Sequence, residues 1–352
     1  MVSIKMTTIL VVVIIIGASA CYLVYDYNNS DGDSIKIAVA NKNCYEPWWI
    51  ADELGYFDEE GVDVQFMVVS GGGTAATALL AGQVDIAGMG PDPMLRVFSM
   101  DESYRCIARW QLDHSYVEGA VRGDIDLNDP RTLIGKTVGM DITTAYYSTF
   151  MSYLDVAVEN NVLTQAEVDS IKILNFNFET IVTAILDGKA DVIIAGSYNA
   201  MAADIREDDE IELSILSDAS KEMYYSKMSV GLVASESAME SKSDDIVKVL
   251  RALQRACEYI YDNTTESGIR EDACEIVVQV YGNTWTVDQQ EKYFMKSEWG
   301  LAFDYDDVQS INLAETYLSD VAFIDFDIRD YFEPKYLQEI LGSRFIWPVA
   351  KK

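Results

Sequence analysis

The chain has 352 residues, enough for one large or two medium domains, and 49% hydrophobic residues with 11% aromatics can fill real cores. With 58 acidic against 26 basic residues the formal net charge is -32, which excludes broad binding to a polyanion such as nucleic acid and implies a solvated acidic surface that keeps a monomer soluble. A single histidine and five cysteines without C-x-x-C spacing exclude the usual zinc and iron constellations, so neither a metal nor another cofactor is expected.

Between Lys5 and Asp26 lie 20 uncharged residues centred on ILVVVIIIGASACYLVY, about the length that crosses a bilayer as a helix. Lys5 on one side and Asp26, Asp31 and Asp33 on the other put the bulk of the chain outside. Two readings of residues 1–33 stand. In one the segment is an uncleaved anchor helix, which the apolar YLVY beyond Cys21 favours. In the other, Ala18-Ser19-Ala20-Cys21 is a lipoprotein-type signal with Cys21 lipidated, although Ala18 stands where Leu is usual. The polar DYNNSDGDS that follows is a linker. Cys44, Cys106, Cys257 and Cys274 are an even number in an exported chain, so four free thiols or any of three disulfide pairings remain open.

From residue 34 the alternation in SIKIAVA predicts a strand. EPWWIADELGYF opens with Pro47 and carries Trp48, Ile50, Ala51 and Leu54 at helical spacing, ending near Gly55. VDVQFMVV is a second strand, SGGGT a turn, AATALLAG a helix and VDIAGMG a third strand, the order of a parallel sheet flanked by helices. GKTVGMD, TTAYYSTFMSYLDVAVENN, IKILNF, FETIVTAILDG and ADVIIAG then repeat that order. The segment ALLAGQVDIAGMG returns 106 residues later as AILDGKADVIIAG, with Ala78/Ala184, Leu80/Leu186, Gly82/Gly188 and Asp85/Asp191 in register. Lys36 and Lys136 precede the first strand of each copy. The glycines should end helices in the left-handed region, and the aspartates should bond backbone groups of the turn.

The expected fold is therefore α/β, with two similar lobes of parallel-rich sheets flanked by helices and hinged around a central cleft. Lobe I would begin at 34–122, lobe II would occupy 123–227, and 228–352 would return to lobe I with C-terminal helices. Val117–Val121 and Val230–Val233 are the expected crossings.

The run PWWIADELGYFDEEGVDVQFMVVSGGGTAATALLAGQVDIAGMGP resembles the first lobe of solute-binding proteins of ABC importers, in the nitrate, sulfonate, taurine and thiamine-precursor group. Its pattern is A-x-E-x-G-[YF]-F-x-x-E-G-[VIL]-x-V, a Ser-Gly turn, and A-L-x-x-G-x-[VI]-D-[IVF]-[AG]. DPRTLIGKTVGM and ILDGKADVIIAG match the start and finish of the second lobe, so the resemblance covers residues 35–235. It implies the type II periplasmic-binding-protein fold. It also implies delivery of a small solute, at the outer face of the cytoplasmic membrane, to a permease driven by a cytoplasmic ATPase.

Ligands in open parallel sheets collect beyond the carboxyl ends of the strands. Ser70, Gly71 and Gly72 lead into one helix, and Thr143, Thr144 and Tyr146 open its counterpart, so the two helix ends could hold an anion. Asn43, Tyr45, Glu46 and Trp48 follow the first strand, Met89, Gly90 and Asp92 the third. Asn177, Glu179, Ser197 and Tyr198 stand at the second lobe's strand ends. Three carboxylates near one cleft favour a ligand with an amine or protonated ring, and the aromatics offer stacking or cation–π faces. The cargo is expected among sulfonates, taurine, nitrate and pyrimidine-like compounds.

Two other functions compete. A fungal thiamine-pyrimidine synthase shares the superfamily's fold, but it depends on an active-site His and a Cys-rich motif. Here His114 is alone, the cysteines are scattered, and no G-x-S-x-G elbow exists, so no catalytic residue is assigned. A membrane-tethered sensory ectodomain binding a similar solute would need an output module that about five residues before the apolar segment cannot supply.

Overall fold

The computed structural model describes residues 23–24, 34–40, 43–113, 118–177, 180–195, 205, 208–215, 228–282, 285–295, 297–304, 307–308, 311, 316–317 and 328–345. Leu23–Val24 (β1) precedes the buried strand Ile35–Ala40 (β2), helices Glu46–Glu53 (α1) and Tyr56–Glu60 (α2), strand Val64–Val69 (β3), helix Gly72–Leu80 (α3), strand Ile86–Met89 (β4), helix Pro91–Met100 (α4) and strand Arg105–Asp113 (β5). Next come Glu118–Arg122 (β6), Thr137–Met140 (β7), Ala145–Glu159 (α5), Gln165–Val168 (α6), Lys172–Asn175 (β8), Ile181–Leu186 (α7), Val192–Ile194 (β9) and Ile211–Ile215 (β10). Met228–Ala234 (β11) leads to helices Glu236–Ser241 (α8), Ser243–Tyr259 (α9), Glu271–Val280 (α10) and Val287–Met295 (α11), strand Ser297–Trp299 (β12) and helix Lys335–Leu341 (α12).

These strands form two mixed sheets, in the orders β1-β3-β2-β4-β11-β5-β12 and β10-β6-β9-β7-β8. In each, a first strand lies between its two parallel successors: β2 between β3 and β4, β7 between β8 and β9. An antiparallel strand closes each triplet, β11 on β4 and β6 on β9. The sequence reading ran the first lobe to residue 122, whereas β6 pairs in the second sheet. Likewise the two segments expected to cross are largely strands of the sheets themselves. The chain changes sheet just before each of them, between 113 and 118 and between 215 and 228.

The sequence repeat marks the same local device twice. Gly82 and Gly188 have φ of 65° and 67°, the left-handed region glycine enters without a Cβ clash. The following amides return to the helix, Gln83 N to Ala78 O at 3.0 Å and Lys189 N to Ala184 O at 2.9 Å. Asp85 Oδ2 then accepts from Lys36 N at 2.7 Å, and Asp191 Oδ2 from Thr137 N at 2.8 Å. The structural counterpart of Lys36 is thus Thr137, one residue beyond the Lys136 that the sequence pairing suggests.

Each lobe has its own apolar interior. The first is built around Trp48 and Trp110, both 0% exposed and edge-to-face at 5.4 Å, with Phe57 and Phe66 packed on Trp48. The second centres on Phe150, Tyr153 and Leu154 of α5. Tyr147 packs against both clusters. The helix expected up to Gly55 ends there because Gly55 turns left-handed at φ 70°, and α2 restarts beyond it.

The C-terminal third packs largely on the first lobe. Arg109 of β5 donates its Nε to Ala302 O at 2.5 Å and lies 3.1 Å from Asp307 Oδ2, which pins the returning chain. Tyr317 also reaches the second lobe, donating to Asp155 Oδ2 of α5 at 2.9 Å. Burial and that carboxylate push its phenol up to about 12.

The anchor-helix reading needs one correction. Leu23 and Val24, placed in the apolar helix by the sequence, pair antiparallel with Val68 and Met67 at the edge of the first sheet. The free edge of β3 offers unpaired backbone groups that an apolar segment can satisfy. Residues 1–22, with Cys21, lie outside the described residues. Among those described, no helix is long and apolar enough to cross a membrane. Among the described residues Cys44, Cys106, Cys257 and Cys274 form no disulfide, which selects the alternative of four thiols.

Candidate ligand site between the lobes

Two of the candidate residues, Asp92 of α4 and Thr143 before α5, lie where the first lobe meets the second. Pro91, with its preset φ, opens α4, and Asp92 follows in the first turn, where the helix dipole favours a negative side chain. Asp92 is 0% exposed, and its Oδ1 accepts from Ser148 Oγ of α5 at 2.7 Å. Its Oδ2 is buried and accepts no hydrogen bond among the described residues. Burial raises the Asp92 carboxyl to about 7, against the lowering effects of the Ser148 hydroxyl and the Arg96 charge one turn along.

A second contact joins the helix starts. A Cβ placed on Gly73 would lie 2.7 Å from Thr143 Oγ1 and 3.1 Å from Thr143 Cβ, so the backbone of α3 touches the loop before α5. Thr143 is held there by Asp141, whose Oδ1 accepts from Thr143 N at 2.9 Å and Thr143 Oγ1 at 2.6 Å. Thr144, 9% exposed, donates its hydroxyl to Asp141 O at 2.8 Å. Ser70 Oγ and Thr74 Oγ1 bond each other at 2.9 Å. The opposed helix ends expected to grip an anion therefore close on one another, with their hydroxyls already engaged in local bonds.

The remaining candidates divide by burial. Asn43 is buried in the turn before α1, and Glu46 is the fully buried first residue of that helix. Gly71 and Gly72 are buried at the start of α3, Met89 ends β4 in the core, and Gly90 caps α4 in extended conformation. Tyr45 donates its hydroxyl to Gly88 O at 2.8 Å and packs edge-on against Trp110. Tyr45 and Trp48 are thus core residues, and neither presents the open aromatic face that the sequence reading gave them. Asn177 Oδ1 accepts from Thr180 N at 3.1 Å and Thr180 Oγ1 at 2.6 Å, which fixes the start of α7. Tyr146 is half-buried against the second core. Glu179, Ser197 and Tyr198, like His114, lie outside the described residues.

Sequence reasoning took Gly73 only as part of the Ser70–Gly73 turn, not as a contact between lobes, and it missed Ser148. The signal for Ser148 was present: Ser148, Thr149 and Ser152 form a buried polar stripe on α5, an unusual face for a helix that only supports its own sheet. Among the described residues, no group of three or more His, Cys, Asp or Glu could hold a metal ion.

Two mixed sheets flanked by helices, joined by two crossings and meeting at a central junction, define a two-lobe α/β protein of the periplasmic-binding-protein fold. Residues 44–267 match the family described as NMT1/THI5 like, and the chain belongs to that family. It is similar to the putative binding protein YtlA of Bacillus subtilis (strain 168), at 23% identity over 240 residues that cover 66% of this chain and 67% of that one. The periplasmic aliphatic sulphonate binding protein SsuA from Escherichia coli has the same fold, with a TM-score of 0.66 at 14% identity over 86% of this chain and 92% of that one. So does the periplasmic nitrate-binding protein NrtA from Synechocystis PCC 6803, with a TM-score of 0.67 at 12% identity over 90% of each chain.

Proposed function

We propose that the chain is the extracytoplasmic solute-binding component of an ABC importer, a binding protein and not an enzyme. Lobe I, with its C-terminal return, and lobe II close on a small solute and present the closed pair to a permease. The observation that carries this reading is the pair of pseudo-equivalent lobes, linked by two crossings and meeting through Asp92–Ser148 and Gly73–Thr143. Domains so connected close by hinging on their ligand. Membership of the NMT1/THI5-like family and likeness to a sulphonate-binding and a nitrate-binding protein support it. We assign the solute to Asn43, Glu46, Ser70 to Gly72, Met89, Gly90, Asp92, Thr143, Thr144, Tyr146 and Asn177, on the support of the Asp92–Ser148 and Gly73–Thr143 contacts between the lobes; the sequence candidates Glu179, Ser197 and Tyr198 lie outside the described residues. An N-terminal apolar segment or a lipid on Cys21 tethers the protein to the outer face of the cytoplasmic membrane.

The test is thermal unfolding of the full chain in detergent against sulfonates, taurine, nitrate and pyrimidines. A ligand at about 100 times its Kd stabilises the folded state by about 2.7 kcal/mol, read as a rise of a few degrees in Tm. A folded protein whose Tm moves with none of them would overturn the reading for these solute classes.

A further inference from the structure

The turn that joins α9 to α10, on the C-terminal return of the first lobe, carries a motif that solute binding does not use. Asn263-Thr264-Thr265 has the form Asn-x-[Ser/Thr] with no proline in the middle, the acceptor pattern for N-linked sugar on chains that face the outside of a membrane. Tyr261 and Ile269 form an antiparallel bridge at the base of the turn, Asp262 N donates to Gly268 O at 2.9 Å, and Gly268 closes the reversal with φ 74°. Asp262 Oδ1 accepts from Thr264 N at 2.8 Å and from Thr264 Oγ1 at 2.6 Å, an Asx turn made by the aspartate. Thr265 donates its hydroxyl to Asp262 O and Ile269 O, both at 3.0 Å, and Ser267 Oγ donates to Glu291 Oε1 of α11 at 2.5 Å, which fastens the turn to the lobe. None of these bonds uses the side chain of Asn263, which is exposed, so a group attached to its Nδ2 would break none of them. Asn128, Asn175 and Asn177 differ on both counts: each bonds the chain through its side chain, and each lacks a hydroxyl residue two positions on.

We propose that Asn263 is an N-glycosylation site, modified at the outer face of the cytoplasmic membrane by transfer of a sugar chain from a lipid-linked phosphate donor. The inference rests on the outer-face location given above and not on which solute the protein binds. In the transfer the anomeric carbon of the sugar forms a bond to Asn263 Nδ2 and its bond to the donor's phosphate oxygen breaks. The bonding pair leaves on the lipid phosphate, and one of the two Nδ2 protons passes to that leaving group. In the folded turn the Thr265 hydroxyl is held by two carbonyls, so transfer takes place while the emerging chain is still open. The turn then folds with the modified residue at its surface, where loops tolerate added bulk.

The experiment is peptide mass spectrometry of the full chain recovered from the membranes of the cells that make it. Trypsin cuts after Arg255 and Arg270 and releases residues 256–270, in which Asn263 is the only asparagine. The other triplet of this form, Asn28-Asn29-Ser30, lies outside the described residues and falls in a different tryptic peptide. Peptide 256–270 should be heavier by whole sugar residues, with fragmentation placing the gain on Asn263. Asn263→Gln and Thr265→Ala should lose the gain and Thr265→Ser should keep it. Thr264→Ala, which removes a bond to Asp262 but leaves the triplet intact, should keep it too. Because Asn263→Gln disturbs no bond of the turn, its Tm and its response to solute should match those of the deglycosylated parent chain. A membrane-impermeant amine reagent applied to intact cells reports in parallel which side the chain faces. A chain labelled from outside whose peptide 256–270 is unmodified, or gains its mass on Thr264, Thr265 or Ser267, would overturn glycosylation of Asn263 and leave solute binding standing. A chain that the reagent does not reach would overturn the outer-face location and the modification together.

Discussion

Gly73 carries more consequence than its lack of a side chain suggests. Any Cβ there meets a threonine whose hydroxyl and amide are both held by Asp141, so Thr143 can yield only by giving up those bonds. Gly73→Ala should act as a wedge that opposes closure while leaving each lobe's core intact. Overpacking of this kind costs about 1–3 kcal/mol, which corresponds to a loss of about 5- to 150-fold in affinity for whichever solute raises Tm. Titration calorimetry of Gly73→Ala, and of the double variant Gly73→Ala/Thr143→Gly that restores the space, reads this directly. Recovery in the double variant is expected. Unchanged affinity in the single variant would mean the contact plays no part in closure.

Among the elements, the repeated helix-to-strand turn is the one whose cost can be compared between lobes. Asp191 bonds a single backbone amide, Thr137 N, whereas Asp85 serves Lys36 N and also takes the Lys242 ammonium at 2.7 Å. Lys242 in turn donates to Ser34 O at 2.9 Å, so Asp85 ties β2 and β4 to the start of α9. Asp191→Ala should cost about 1 kcal/mol, the net worth of one hydrogen bond, and Asp85→Ala about 1–3 kcal/mol, because it also strands a lysine that is three-quarters buried. Equilibrium urea unfolding measures both, and Asp191→Ala proving the costlier would contradict the assignment. Both turns were legible in the sequence, since a glycine cap and a strand-starting aspartate are local devices. The offset between Lys136 and Thr137 was not, because a parallel register is decided by which amide an aspartate reaches across the sheet.

At the scale of the whole molecule, the first lobe has one buried cluster and the second lobe two, with Tyr147 packed between the lobes, and three of the thiols lie in the first. Cys106, Cys257 and Cys274 are buried there, and burial raises all three thiols, Cys274 to about 12, so the reactive thiolate is scarce at pH 8. Iodoacetamide labelling followed by peptide mass spectrometry should therefore modify half-buried Cys44 well before the other three, which should react only as the first lobe unfolds. Fast labelling of Cys257 in the folded protein would show the first interior to be looser than its packing implies.

The residues alone determined the α/β class, the two-fold repetition and most elements, because hydrophobic period, glycine caps and strand-to-helix order act within about 20 residues of chain. The family's imprint lay in the same local segments. What the tertiary structure decided is everything that requires two distant segments to meet. Residues 118–122 join the second sheet, Leu23 and Val24 take up the edge of β3, and Tyr45 and Trp48 fill the core. The opposed helix starts touch each other, and Ser148 faces Asp92 from 56 residues away. The burial that raises the Asp92 carboxyl belongs to the assembled molecule, in which Ser148 of the second lobe meets it.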